Sequence, residues 1–294
     1  MADETDGCSG FWLHLLTVYA FNVYAYTVHF LREHPVEHKQ SHGQTRRMGA
    51  VSGLVSQIDR LIDLGIHSAI GLSPEAFRQS LLPLGVHVQG EAGEPDMEAG
   101  TADAVIVINT PRLPIGDMWS RVHRAGKPAM ERLFPRKPED FRPTESLDLP
   151  AGEAYLLLGL DRGNATLNAV PTEASPRIAA QGRSPITVEE GTSVLLQWPL
   201  FLKPNHCFMM LGSRCGDRRV PAWWLSNRAP RLGWCWEGNP HTWLGFASCL
   251  GRSPAIDFGR VEADRDAKPC DQAPSRPEYS TFDRGASGTC MKGK

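Results

Sequence analysis

Between His206 and Gly251 the chain reads HCFMMLGSRCGDRRVPAWWLSNRAPRLGWCWEGNPHTWLGFASCLG. This stretch sets Cys207, Cys215, Cys235 and Cys249 among Trp223, Trp224, Trp234, Trp236 and Trp243, and the whole chain has only 7 cysteines and 8 tryptophans. Both residue types bury well, and each indole carries an N–H that needs an acceptor. The concentration predicts a densely packed unit with three kinds of chemistry open to it.

The first is metal binding. Cys215, Cys235, His241 and Cys249 are a ligand set for tetrahedral zinc, because thiolate and imidazole are its preferred donors. His206 and Cys207 are spare candidates. The usual structural sites bring ligands in close pairs, and here only Cys235 and His241 approach that spacing. The bland alternative is that the thiols are buried as small hydrophobes. The second is acid–base or nucleophilic chemistry by Cys215, Asp217 or His241, which requires only that the fold bring them within hydrogen-bond reach. His206-Cys207 followed by Arg214 is not a phosphatase loop. It has one residue too many between Cys and Arg, and FMMLGS lacks a glycine-rich cradle of N–H groups.

The third is recognition of a small anionic or nucleotide-like ligand. Arg214, Arg218, Arg219, Arg228 and Arg231 lie among the tryptophans, opposed locally by Asp217 and Glu237. Guanidinium and indole together hold anionic groups and stack on flat rings. The candidate ligand-binding residues are Arg214, Arg218, Trp234, Asn239 and Trp243. If the arginines pair with acids and the rings form core, the segment is instead structural or a protein-interaction surface. A net charge of -2 gives no general attraction to nucleic acid or anionic lipid, which argues against nucleic acid as a partner.

The elements that must position these residues are only partly legible. In residues 50–64, Val51, Leu54, Val55, Ile58, Leu61 and Ile62 recur at helical spacing, and Gly65 suits the C-terminal cap. A second helix is predicted from Ser73, with Pro74 at the first helical position. Residues 90–103 read as an acidic loop and AVIVI (104–108) as a buried strand. Residues 111–150, rich in Pro and charge, read as irregular loops with short helical turns. EAYLLLGL and ATLNAV, joined by Asp161-Arg162-Gly163-Asn164, predict a hairpin. Thr187 and Glu190 form a capping box leading into SVLLQW, and Pro199 stops that helix. FMML (208–211), VPAWWL (220–225) and RLGWCW (231–236) read as strands. The fold class is α+β: two N-terminal helices and a mainly antiparallel sheet, with a Trp/Cys/Gly-rich C-terminal half. The body is one domain, residues 48–251, divided into a helical and loop part to 150 and a β-rich part from 151. From 252 the chain is polar and Pro-rich and reads as a disordered tail.

Residues 1–47 differ in composition from the rest. FWLHLLTVYAFNVYAYTVHFL (11–31) lacks Asp, Glu, Lys and Arg and is long enough to cross a bilayer. Three readings stay open: a translation start placed too far upstream of Met48, a membrane anchor, or a helix buried in the fold. As an anchor, with Arg32, Lys39, Arg46 and Arg47 after it, it would keep the body in the cytoplasm. Contact with a membrane is expected only in that case. The odd, widely spaced cysteines, Cys8, Cys270 and Cys290 among them, point to a reducing, cytoplasmic compartment.

GSRCGDRRVPAWWLS and LGWCWEGNPHTWLGFASC resemble the C-terminal signature of an actinobacterial family of unknown function. VIVINT (105–110), VEEGTSVLLQWP (188–199) and LKPNHCFMMLGSRCGDRR (202–219) extend the similarity, which covers Val51 to Arg252. It implies a cytoplasmic bacterial protein beginning near Met48, and it carries no activity or cofactor with it.

Overall fold

The computed structural model describes residues 42–88 and 94–259. The apolar segment 11–31, the possible start before Met48 up to residue 41, Cys8, Cys270 and Cys290 lie outside the described residues. The architecture is α+β, with two five-stranded sheets among the described residues and a helix set between them.

The N-terminal part is helical. Helix α1 spans His42–Asp63, so the boundary expected at Met48 falls inside it. Leu54, Ile58 and Leu61 put its apolar stripe into the core. The chain turns through Gly65, at φ 70, into the short α2, Ile66–Ala69. Helix α3, Pro74–Leu81, starts as its sequence requires: the Ser73 hydroxyl accepts from Ala76 N, and Pro74 is the first helical residue.

The first sheet is built on β1, Thr101–Ile108, paired antiparallel with β6, Ala154–Asp161, from Thr101↔Asp161 to Ile108↔Ala154. Between them the chain forms α4 (Ile115–Trp119), the strand pair β2 (His123–Arg124) and β3 (Lys127–Pro128), then β4 (Met130–Arg132) and β5 (Arg142–Pro143). Residues 111–150 are therefore irregular with short turns, as their Pro content predicts.

β6 is not the first arm of a hairpin. Asn164–Thr166 is a 3-10 turn, and the far edge of β6 is taken by β13, Ser248–Cys249, and β14, Gly251–Arg252. ATLNAV is diverted because Gly163 and Gly245 meet backbone to backbone. A Cβ on Gly245 would lie 2.1 Å from the Gly163 carbonyl oxygen. The Thr166 hydroxyl then accepts from Phe246 N. After α5 (Pro171–Ala180), β7 (Ser184–Pro185) completes the sheet against β13.

The free edge of β1 is closed by a side chain. Gln57 of α1 donates to the Ala104 carbonyl and accepts from Ile106 N, both at 2.9 Å, so its amide stands in for a neighbouring strand. Replacing Gln57 with Leu leaves two buried backbone groups unsatisfied, and we expect unfolding free energy to fall by about 2–3 kcal/mol in urea titrations. Unchanged stability would show that the edge is served by water instead.

Helix α6, Val188–Gln197, is buried along nearly its whole surface. Its capping box is complete: Thr187 Oγ1 accepts from Glu190 N, and Glu190 Oε2 accepts from Thr187 N. One side faces the first sheet through Glu190, which accepts from the Tyr155 hydroxyl of β6. The other faces the second sheet. There Gly191 lets Met210 and Phe208 come so near that an added Cβ would meet Met210 Sδ at 2.3 Å. A helix flanked by two sheets has no wet face, which is why SVLLQW lacks charge.

The second sheet has the order β12, β8, β10, β11, β4, with β8 Cys207–Met209, β10 Arg219–Ser226, β11 Ala229–Trp236 and β12 Leu244–Phe246. β10 and β11 form an antiparallel hairpin from Arg219↔Trp236 to Ser226↔Ala229. β12 joins β8, and β4 joins β11, in parallel. A two-residue strand β9, Ser213–Arg214, pairs with β5 outside both sheets.

The body does not end at residue 251. The Arg252 side chain is buried against Glu190. Phe258 is also buried, stacks on Phe77 with centroids 5.5 Å apart, and donates its N–H to Glu153. The polar stretch 252–259 therefore packs, because Arg252, Ser253 and Phe258 each find a specific partner. Among the described residues no helix is long and apolar enough to cross a membrane.

Candidate functional site

The residues singled out by their chemistry separate into two groups at opposite ends of the β10–β11 hairpin. A rise of about 3.3 Å per residue over the paired length puts roughly 23 Å between them.

The first group surrounds Asp217. Its carboxylate accepts from Arg136 Nη2 at 2.7 Å, from Arg219 N at 2.9 Å and from the Arg219 guanidinium. Cys215 Sγ donates to it at 3.2 Å. Arg136, with these further donors, holds Asp217 well below the usual carboxylate range. Burial and the adjacent carboxylate push the Cys215 thiol up, so it stays protonated at neutral pH. It is a donor to Asp217, and no histidine among the described residues is bonded to it. Arg218 and Arg214 bind Glu237 at 2.8 and 3.3 Å. Arg219 lies over the Trp234 and Trp236 rings at 4.5 and 5.9 Å, and Arg218 over Trp236 at 5.3 Å. Trp234 Nε1 donates to the Leu133 carbonyl.

The expected zinc set does not assemble. Cys249 lies in β13 of the first sheet opposite Ser184, and Cys235 lies in β11 of the second opposite Val220. Burial raises both thiols to about 11. Cys215 is engaged with Asp217, while His241 packs against Trp243 with centroids 5.1 Å apart. Among the described residues no three His, Cys, Asp or Glu side chains gather as a metal would need. The physical reason is topological: residues 235 and 249 are close in sequence but belong to different sheets. Of the acid–base candidates, Cys215 and Asp217 are brought together, while His241 is not among the contacts of either. Asn239 is exposed in the turn after β11, with its N–H bonded to the Trp236 carbonyl.

The second group surrounds a cleft of about 350 Å³ lined by Arg124, Pro204, Asn205, Cys207, Leu225, Arg228 and Trp243. Among these, Trp243 was expected as a ligand-binding residue, Arg228 as one of the arginines set among the tryptophans, and Cys207 only as a spare metal ligand. Two hairpin tips build it. Asn227 and Arg228, at φ 53 and 63, turn β10 into β11, and Ala125 and Gly126, at φ 49 and 75, turn β2 into β3. Positive φ at both central residues matches the right-handed twist of the flanking strands. The tips interlock: Lys127 Nζ donates to the Asn227 carbonyl at 2.8 Å, and Arg124 Nη1 donates to the Arg228 carbonyl at 3.4 Å. Arg124 Nε is buried with no partner among the described residues. None of the seven lining residues carries a carboxylate. Cys207 Sγ contacts the Lys203 carbonyl at 3.4 Å, and burial raises this thiol to about 11. Burial also lowers the pKa of His241, beside Trp243.

Arg124 was missed because it lies about a hundred residues from Arg228, in a Pro- and charge-rich stretch where one more arginine does not stand out. Arg228 was recognised by its residue type, and the short SNRA link between two predicted strands was the available signal that it sits at a hairpin tip.

A small α+β protein with a basic cleft at one end of a hairpin, and paired arginines at the other, is what this fold and these contacts define. The chain belongs to a family of unknown function, DUF5701, matched over residues 60–255. No curated protein and no solved structure shows significant similarity to the chain.

Proposed function

We propose that the protein is a binding module for a small anionic ligand, held in the cleft between the two hairpin tips. The observation that carries this reading is the lining: Arg124 and Arg228 face a concave space with an indole wall, Trp243, and no acidic side chain. Guanidinium groups offer planar, paired donors that match phosphate or carboxylate. A half-buried indole suits the flat portion of a nucleotide-like molecule. The backbone geometry adds support. An L-residue in the left-handed region costs roughly 1–2 kcal/mol, and Arg228 occupies that region where glycine would be unstrained. Arg214 and Arg218, expected to bind the ligand, reach Glu237 instead, Trp234 bonds the Leu133 carbonyl, and none of the three lines the cleft. Free thiols at Cys207, Cys215, Cys235 and Cys249 support a reducing compartment.

Calorimetric titration with inorganic phosphate, citrate, AMP and ATP tests the reading. At least one anion should bind, and Arg228→Ala should weaken it about tenfold or more, the loss expected for one charge-assisted hydrogen bond. Trp243→Phe should weaken the nucleotides more than inorganic phosphate. No heat with any of the four, or affinities untouched by Arg228→Ala, would remove the cleft as a binding site.

A further inference from the structure

We propose that the arginine–tryptophan cluster at the open end of the β10–β11 hairpin, together with Phe134, is a docking surface for an acidic segment of a partner protein. Four guanidiniums, from Arg136, Arg214, Arg218 and Arg219, stand over two carboxylates, Asp217 and Glu237. Two positive charges are left over within the cluster. The donors are also unfilled: Arg218 gives only Nε to Glu237 among the described residues, and a guanidinium carries five N–H groups.

The surface is preorganised. Trp234 and Trp236 hold the Arg219 and Arg218 planes in place, so little side-chain freedom is lost when a carboxylate arrives. It also has an apolar margin. Trp234 Nε1 bonds the carbonyls of Leu133 and Phe134, which fixes that loop beside the cluster. Phe134 is 87% exposed, Trp236 37% and the Arg218 side chain 59%. Aromatic rings beside arginines form the usual anchors of protein interfaces.

A nucleic-acid strand fits less well. The indole faces are already occupied by guanidiniums, which removes them as stacking platforms. Asp217 and Glu237 within the cluster would repel a continuous row of phosphates, and two uncompensated charges give a weak counterion-release drive. A protein segment can place one or two carboxylates on the arginines and an apolar side chain against Phe134.

Fluorescence anisotropy on the full chain tests this with three labelled probes at low and high salt: a peptide of Asp and Glu with interspersed Leu and Phe, its Lys/Arg counterpart, and oligothymidylate. The acidic peptide should bind best and weaken with salt. Arg218→Glu should weaken it about tenfold or more, Arg218→Ala and Phe134→Ser by a smaller factor, and Arg228→Ala, in the distant cleft, should leave it unchanged. All three positions are exposed, so folding is checked by an unchanged thermal midpoint. Equal binding by the parent and Arg218→Glu, or tighter binding of oligothymidylate than of the acidic peptide, would overturn the proposal.

Discussion

Arg252→Ala is expected to lower the unfolding free energy by about 3–5 kcal/mol, the usual effect of removing one partner of a buried ion pair. Arg252 Nε and Nη2 reach the two Glu190 carboxylate oxygens at 2.5 and 2.9 Å, and both side chains are buried. The pair is fully hydrogen-bonded. Tyr155 and Thr187 N donate to Glu190, while Arg252 also donates to Ser184 Oγ and the Pro185 carbonyl. Burial disfavours the charge on Arg252, but Glu190 more than offsets it and the guanidinium pKa is raised. Burial and Glu190 together push the Tyr155 hydroxyl far up, so it remains a donor. Without Arg252 the Glu190 charge stays inside with Tyr155 and one backbone N–H only. Equilibrium urea unfolding measures the loss. The pairwise variant Arg252→Met with Glu190→Gln should recover part of it, because no charge is then left alone. A chain cut after Gly251 should lose at least as much as Arg252→Ala, because Phe258 goes as well. If Arg252→Ala unfolds with the parent's midpoint, the network carries no net stability.

Trp223→Ala should be about as damaging, at about 3–5 kcal/mol for a large core side chain cut back to Cβ. Trp223 is fully buried between β10 and α6, opposite Leu232 and Phe208, and donates Nε1 to Thr192 Oγ1 at 3.3 Å. The cost is mainly the cavity, since Thr192 keeps its own bond to the Val188 carbonyl. Trp223→Phe fills most of the space and should cost clearly less. Trp236→Ala, at the exposed end of the same hairpin, should stay within about 1 kcal/mol, as surface substitutions do. Denaturant titration of the three variants separates a core tryptophan from a surface one. Equal losses at 223 and 236 would contradict the burial described above.

Those two tryptophans show where sequence reading stops. Both lie in strands recognised from their composition, and alternation alone does not say which end of the hairpin a helix covers. The Ser73 cap, the Thr187–Glu190 capping box and the AVIVI strand were legible because each depends on neighbours within four residues or on a run of β-branched side chains. The hairpin expected at 153–170 failed for the opposite reason. β6 pairs with β1, which comes before it, and with residues 248–252, far after it, and both partners are non-local. The tail boundary at 252 failed because Arg252, in a polar and Pro-rich stretch, is packed by one distant carboxylate.

Local chemistry in the chain by itself determined the α+β class, the caps, most strand positions, the density of rings and thiols late in the chain, and the likeness to a family of unknown function. Tertiary structure alone decided which of those groups meet. It sent Cys235 and Cys249 to different sheets, closed Asp217 and Glu237 around four arginines, and brought Arg124 to Arg228 across a hundred residues. The physical reason is that helix caps and strand propensities are short-range, whereas a site is made by pairing between strands whose register depends on the whole core.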